Sequence, residues 1–506
     1  MTALSSSATS STVETPAAPS KGFITSSILR ILTLVLLCSV AALYESTQLS
    51  SLSNTDIWIH LRTGSWILQN LTVPHNGLFS QSSSLPWSDS TWGFDLIAGI
   101  GYKLIGLRTV PFLLMAFQTA LALITFLLTR ARHSSFWLAV FLSAVAQYVI
   151  PLQPSPFSCS ILFFGIELML LEQSHRSGSV RHLFWLPPLF FVWANLHSQF
   201  VLGLLLLGLF IGSQLLERAL ERFRLQWLEP SSPGPSIAVT GFIAASSLVA
   251  ALLTPYVFHS FAGIKALYSG VAFEYFEEMR AMSFRRPQEF VLMLLVMAAF
   301  LALGRKRSAQ PFLLLVLVVG TALAFRIQRD AWAAVLPAIA ILGTAFAGQT
   351  AQSKLARPRW HRPVFVILLM VAFLVAAKRV PDQSALLAKS GRAFPVKACD
   401  FIRDNQLQPP LFNAYTWGGF IAWYLPQYPV SIDSRTELFG DQNLDQYFKL
   451  SSGNERLDAV PNFVAARTLL LETKSGMAKA QTTLPELSSQ FKAVYRDDLA
   501  TVLVRQ

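Results

Sequence analysis

Long apolar blocks, recurring with short basic stretches between them, constrain this chain more than any other feature. A first run spans Ile31–Leu43. Others follow at about 93–107, 111–129, 135–150, 157–172, 183–194, 200–216, 236–253, 289–304, 310–325, 331–347 and 363–377. So many runs approaching the ~20 residues of a spanning helix need a bilayer to bury them. The composition agrees. Hydrophobic residues make up 53% of the 506 and charged residues only 13%, against about a quarter in soluble proteins. An ordinary soluble enzyme and extended disorder are both excluded. No phosphate-binding GxxxxGK[ST], no GxGxxG after a strand, no HExxH and no CxxC occurs, which argues against an ATP-driven pump and a zinc hydrolase.

The 40 Lys and Arg exceed the 28 Asp and Glu, leaving +12. The bases cluster between the apolar blocks, at Arg130–His133, His175–His182, Arg218–Arg224, Arg305–Arg307 and Arg357–Arg362. That is the signature of cytoplasmic loops rather than of a nucleic-acid surface. Residues 1–27, rich in Ser, Thr, Ala and Pro at their start, are expected to be a disordered cytoplasmic tail. An uncleaved first span then carries the chain outward. Counting from either end agrees if one of two weak blocks, 93–107 with Lys103 or 183–194 with Pro187 and Pro188, fails to cross. About 11 spans result. The stretches 45–92, 193–200, 254–288 and 325–330 then share the outer face.

After Lys378 the composition turns soluble, and residues 380–506 suffice for one small α/β domain on the outer side. Strands are expected at Val430–Asp433, Thr468–Glu472, Phe491–Tyr495 and Thr501–Val504, with a helix at Gly418–Tyr424. Cys38, Cys159 and Cys399 lie too far apart to suggest a metal site or a disulfide framework. The expected fold class is thus a polytopic α-helical membrane protein with a C-terminal extracytoplasmic α/β domain, its transmembrane part spanning residues 28–379.

Ionisable groups in apolar surroundings are costly, so they are the first functional suspects. Asp56 and His60 stand four residues apart, on one face of an amphipathic helix over Asp56–Leu71 expected at the membrane interface. Asp56 also suits the cap of that helix. Glu274, Glu277 and Glu278 precede Arg280, Arg285 and Arg286, in what is equally a solvated loop. Trp193, Asn195, His197 and Gln199 sit between two apolar runs, as sugar-binding groups or as a satisfied interhelical turn. Arg326, Arg329 and Asp330 join two spans, where a guanidinium fork suits a lipid phosphate or merely touches headgroups. Asp433 and Arg435 are expected to pair and fix a turn.

The run Asp56-Ile-Trp58-Ile-His60-Leu-Arg-Thr-Gly64-Ser-Trp66-Ile-Leu resembles the first-loop motif D-x-W-W-H-L-x-x-G-x-W-I-L of bacterial GT-C type integral-membrane glycosyltransferases, a mannosyltransferase-like superfamily. Ile59 departs from it. Val73-Pro74, Leu78-Phe79, the Trp87–Trp92 segment, Trp193–His197, Leu253–Tyr256 and Arg329-Asp330 follow in the family's order. Asn413-Ala-Tyr-Thr-Trp417-Gly418-Gly419 and Val430-Ser-Ile-Asp433-Ser-Arg435 are similar to the N-x-Y-x-W-G-G and I-D-x-R patterns of its appended domain. The Asp-Glu pair of protein O-mannosyltransferases is lacking.

The resemblance implies sugar transfer from a polyprenyl-phosphate donor to an acceptor hydroxyl of a glycan, lipid or protein at the outer face of the cytoplasmic membrane. Asp56 would be the base of an inverting reaction, and Arg326 or Arg329 would neutralise the leaving phosphate. Glu277 or Glu278 would assist, while Trp58, His60, Asn195 and His197 would bind substrate. No cofactor is implied, and a divalent cation at the glutamates stays open. A lipid or glycan flippase, a ligase using a polyprenyl-diphosphate glycan and a non-catalytic scaffold are the alternatives.

Overall fold

The computed structural model describes residues 21–130, 135–222, 234–257, 270–305, 311–345, 361–453, 456–483 and 485–506. Residues 1–20 of the expected tail and the basic stretches at 131–133, 223–224, 306–307 and 357–360 lie outside the described residues, while the tail's last part, residues 21–27, is not disordered but forms the start of the first helix.

The apolar blocks form helices: α1 (Lys21–Gln48), α2 (Ile57–Asn70), α3 (Trp92–Ile105), α4 (Thr109–Arg130), α5 (Phe136–Val149), α6 (Pro156–Ser177), α7 (Leu186–Leu196), α8 (Phe200–Arg222) and α9 (Ile237–Leu252). Pro287–Arg305, Pro311–Arg326, Trp332–Ala345 and His361–Arg379 complete the set. Among the described residues, six stretches are long and apolar enough to cross a bilayer: Ser27–Gln48, Trp92–Arg130, Pro156–Ser177, Phe200–Leu220, Pro287–Arg305 and His361–Arg379. Phe136–Val149, Ile237–Leu252 and Pro311–Arg326 are shorter apolar helices. The expected 11 spans are therefore not matched by that number of long helices. Both weak blocks are short, since α3 has 14 residues and α7 has 11. α3 ends where Gly106 takes φ 60°, and α4 continues from there. Trp332–Ala345, which contains Pro337, is buried along almost its whole length as the bundle's central helix.

α2 departs from expectation. Its apolar residues do not lie on a membrane surface. Ile57, Trp58, Ile59, Leu61 and Ile67 are all buried, between α3 and the C-terminal domain. Two glycines permit the α2–α3 contact. A Cβ on Gly64 would stand 1.8 Å from the Asp95 carbonyl oxygen, and one on Gly99 would stand 2.5 Å from the Gly64 carbonyl carbon. Backbone faces backbone there, so no flexible side chain can yield. Gly64→Ala is therefore expected to force the helices apart, destabilise the fold by roughly 1–3 kcal/mol and lower the thermal midpoint in detergent.

The C-terminal domain carries a four-stranded sheet in the order β1-β2-β4-β3. The strands are β1 (Leu411–Asn413), β2 (Thr468–Glu472), β3 (Phe491–Arg496) and β4 (Ala500–Arg505). β1 runs parallel to β2, and the other two pairs are antiparallel. Three expected strands and the Gly418–Tyr424 helix are present. Val430–Asp433 is not a strand of this sheet. Val430 instead bridges Ser80 of the first loop, exchanging backbone hydrogen bonds of 2.9 and 3.0 Å with Gln81 and Phe79.

The domain is joined to the bundle by a shared apolar core, in which Ile57, Trp58, Leu61 and Phe94 pack with Phe394, Trp417, Phe420 and Ile421. The segment before Pro287 docks on it too. Tyr275 donates to Asp445 at 2.7 Å and stacks on Phe448 with centroids 4.5 Å apart.

Candidate active site

Five stretches distant in sequence bring ionisable groups to one end of the bundle. Asp56 opens α2, but it does not cap it. The Asn54 side chain accepts from the Asp56 and Ile57 backbone amides, at 3.1 and 2.9 Å. The Asp56 carboxylate makes no cap bond and receives the Thr55 hydroxyl at 3.1 Å. Half-buried and spared from capping, it remains available for chemistry.

The expected pairing of Asp56 with His60 is replaced by another. His60 Nδ1 stands 2.6 Å from Asp95 Oδ1, across the α2–α3 contact. Asp95 is 2% exposed and His60 12%. Asp89 lies close enough to Asp95 to feel its charge and is itself held by the Thr91 amide and hydroxyl at 3.0 and 2.8 Å. Sequence reasoning missed both aspartates, although Asp95 inside an apolar block was a legible signal.

Arg329 lies 3.3 Å from Glu278 and stacks over Phe157 at 4.8 Å. Glu277 turns away, exposed, to pair with Arg286. The two glutamates therefore part company, and only Glu278 points toward the cluster. Arg326 ends its helix exposed, so of the two candidate arginines it is Arg329 that meets the acids.

The Trp193–Gln199 turn divides. Asn195 is spent structurally, accepting from Trp92 Nε1 at 2.9 Å and donating to the Phe191 and Leu253 carbonyls at 2.8 and 3.1 Å. That clamp leaves neither amide hydrogen for a substrate. His197 Nδ1 is 2.7 Å from the Ser160 hydroxyl, which also accepts from Trp193 Nε1 at 2.8 Å. Gln199 donates to Asp330 at 3.2 Å. Trp58 is fully buried in an aromatic cluster, 5.4, 5.0 and 4.9 Å from Phe394, Phe420 and Trp423. From there it offers a substrate nothing and instead anchors the domain.

The C-terminal domain closes the cluster. Asp433 and Arg435 form the expected buried pair, with Nε–Oδ1 at 2.9 Å and Nη2–Oδ2 at 2.6 Å, and the guanidinium lies 4.9 Å over the Trp87 ring. Ser434 lies close to Asp56. Tyr415 feels the charges of Asp56, Glu278 and Glu437 together.

Electrostatics ties these pieces into one site. Burial pushes the Asp56 carboxyl above the usual aspartate range; the Glu278 charge adds to this, while His60 opposes it. Burial lowers the His60 imidazole, against Asp56 and Asp89. Burial, then the Arg329 charge and then His60 push His197 down to about 3, so it is neutral at ordinary pH. Asp89 is raised by burial and by Asp95. A carboxylate of raised pKa is a stronger base than an ordinary aspartate and so better suited to taking a proton, and an arginine nearby is suited to developing negative charge. No group of three or more His, Cys, Asp or Glu among the described residues could hold a metal ion. A narrow hollow between α6, α8 and the helices Pro311–Arg326 and Trp332–Ala345 is lined by Phe164, Leu206, Val316 and Trp332, with no ionisable residue. It carries no chemistry.

No protein-family model matches the chain, and no curated protein matches it in sequence. In fold it is similar to the archaeal oligosaccharyltransferase AglB from Archaeoglobus fulgidus, solved in complex with an inhibitory peptide and a dolichol-phosphate. The TM-score is 0.50 and the identity 10%, over 93% of this chain and 72% of that one. At such identity the likeness concerns the fold alone. It is in keeping with the helical membrane fold expected from the apolar runs.

Proposed function

We propose that the protein is a bacterial membrane glycosyltransferase that moves a sugar from a polyprenyl-phosphate donor to an acceptor hydroxyl at the outer face of the cytoplasmic membrane, with inversion. The observation that carries this reading is the coupling of Asp56 to Arg329 through Glu278, which touches the arginine and acts on the aspartate. In this reading Asp56 accepts the proton of the acceptor hydroxyl as its oxygen attacks the anomeric carbon. The bond from that carbon to the phosphate oxygen breaks, and the lipid phosphate leaves with the electron pair beside Arg329. Glu278 holds Arg329 until the phosphate arrives. The likeness in fold to a transferase solved with a dolichol-phosphate is in keeping with such a donor.

The test uses purified protein in nanodiscs with synthetic polyprenyl-phosphate mannose, its other monosaccharide analogues and the matching diphosphates. Release of polyprenyl phosphate from the monophosphate donors is the expected result. Translocation of the intact lipid across proteoliposomes, with no bond cleaved, would overturn the reading. A mass-spectrometric comparison of lipid and glycan pools in a deletion strain identifies the product.

The base must be ionised, so turnover is expected to rise with pH through the Asp56 pKa. Since burial and Glu278 hold that pKa above the usual aspartate range, the acid limb of the rate profile should fall above about pH 4. Glu278→Gln removes one raising charge and should move that limb to lower pH.

A further inference from the structure

Asp95, which neither the motifs nor the fold likeness assigns, makes a short hydrogen bond to the one imidazole beside Asp56. His60 Nδ1 and Asp95 Oδ1 are 2.6 Å apart. His60 Nε2 has no hydrogen-bond partner among the described residues, and the ring keeps 12% of its side chain exposed. One turn back on the same helix face stands Asp56. The ring is further fixed by an edge contact with Phe94, at 5.2 Å. Asp95 in turn is held by the Thr91 hydroxyl, at 3.4 Å. The carboxylate thus sits on a rigid helix end and cannot follow the ring if it turns. Gly64 and Gly99 bring the two helices close enough for this bond to form.

We infer that Asp95 is a positioning residue: it holds His60 as the Nδ1–H tautomer, so that Nε2 is an acceptor that takes over the proton Asp56 receives. The tautomer of a histidine is set by the partner of its other nitrogen. With Nδ1–H given to Asp95, Nε2 carries the lone pair. When the acceptor O–H bond breaks, its proton passes to Asp56 and then, since the two side chains are not in hydrogen-bond contact, by way of a water to His60 Nε2. The acceptor oxygen keeps its electron pair to bond the anomeric carbon, and the sugar–phosphate bond breaks toward the phosphate. The resulting imidazolium lies between two carboxylates, Asp56 and Asp95, and returns its proton to water after release of the product. The groups acting on this ring are Asp56 on α2, Asp89 and Asp95 beside and on α3, and His197 after α7. Burial acts against the imidazolium, the Asp56 and Asp89 charges favour it, and His197 is neutral.

The mechanism rests on the transferase reading, but the tautomer does not, and the experiment separates the two. Ring 15N shifts of histidine-labelled protein in lipid bilayers, assigned with His60→Gln, report which His60 nitrogen carries the proton. The wild type should show Nδ1–H at neutral pH. Asp95→Asn, isosteric and able to donate its amide to Nδ1, should move the proton to Nε2. With polyprenyl-phosphate mannose or its active analogue as donor, Asp95→Asn and His60→Gln should each lower turnover by about 10²-fold, with KM changed by less than about threefold. The double variant should be no slower than His60→Gln alone, because Asp95 acts only through the ring. An unchanged His60 tautomer in Asp95→Asn overturns the inference, and so does full additivity of the two losses. If the wild type cleaves no donor, the transferase reading fails by itself and the relay with it, while the ring shifts still decide the positioning.

Discussion

Asp56→Asn is expected to lower polyprenyl-phosphate release by about 10²–10⁴-fold, the contribution of a positioned general base, while the thermal midpoint in detergent stays within a degree or two of wild type. The separation of the two readouts follows from the start of α2. Had Asp56 been the cap, its loss would cost the helix as well as the chemistry. Asn54 performs that task, accepting from the Asp56 and Ile57 amides, and the Asp56 carboxylate makes no cap bond. Asn54→Ala gives the complementary result, a loss of about 1 kcal/mol in stability with Asp56 still in place. Stopped assays of donor cleavage, run beside thermal unfolding of each variant, measure both quantities. Wild-type turnover in Asp56→Asn would remove the base from the mechanism.

Trp58→Ala is expected to cost about 3–5 kcal/mol, as for other buried Trp truncations, and to loosen the C-terminal domain from the first loop. The side chain is fully buried and meets Phe394, Phe420 and Trp423 within 5.4 Å. All three belong to the C-terminal domain, so the cavity would open at the joint that presents Ser434 and Tyr415 to Asp56. Activity should therefore fall with stability. Trp58→Phe provides the contrast. The indole Nε1 is buried without a hydrogen-bond partner among the described residues, so a phenyl ring forfeits no polar contact there and should cost about 1–2 kcal/mol, chiefly through lost volume. Limited proteolysis after Arg379 reports the loosening directly, and Trp58→Ala should be cut faster than Trp58→Phe. Equal protection of the two variants would mean that the joint is held elsewhere.

Much of this protein is written locally. Helical blocks appear where the apolar runs are, because a chain in lipid must satisfy its own backbone. Three expected strands and the helix Gly418–Tyr424 are found where alternation and turn residues put them. The motifs also marked the stretches that meet: Asp56, Glu278, His197 and Arg329 all lie in segments assigned to one face. The errors have a common cause. Val430–Asp433 has strand composition, yet Val430 pairs with Ser80, 350 residues upstream, a partner that no local window contains. The amphipathic period of α2 was real, but a buried face does not say whether lipid or protein covers it. Here the cover is α3 and the C-terminal domain.

The amino-acid order alone determined the membrane-embedded helical character, the small C-terminal sheet and several of the segments that carry costly charge, because burial preference and hydrogen-bond demand act residue by residue. Only the packed structure decided which groups act on one another. His60 faces Asp95 instead of Asp56, Glu278 instead of Glu277 meets Arg329, and Asn195 is used up as a clamp. Those choices depend on backbones approaching to within contact at Gly64 and Gly99 and on loops converging from distant parts of the chain. Electrostatic partners are set by separations of a few ångströms, and such separations are a property of the fold.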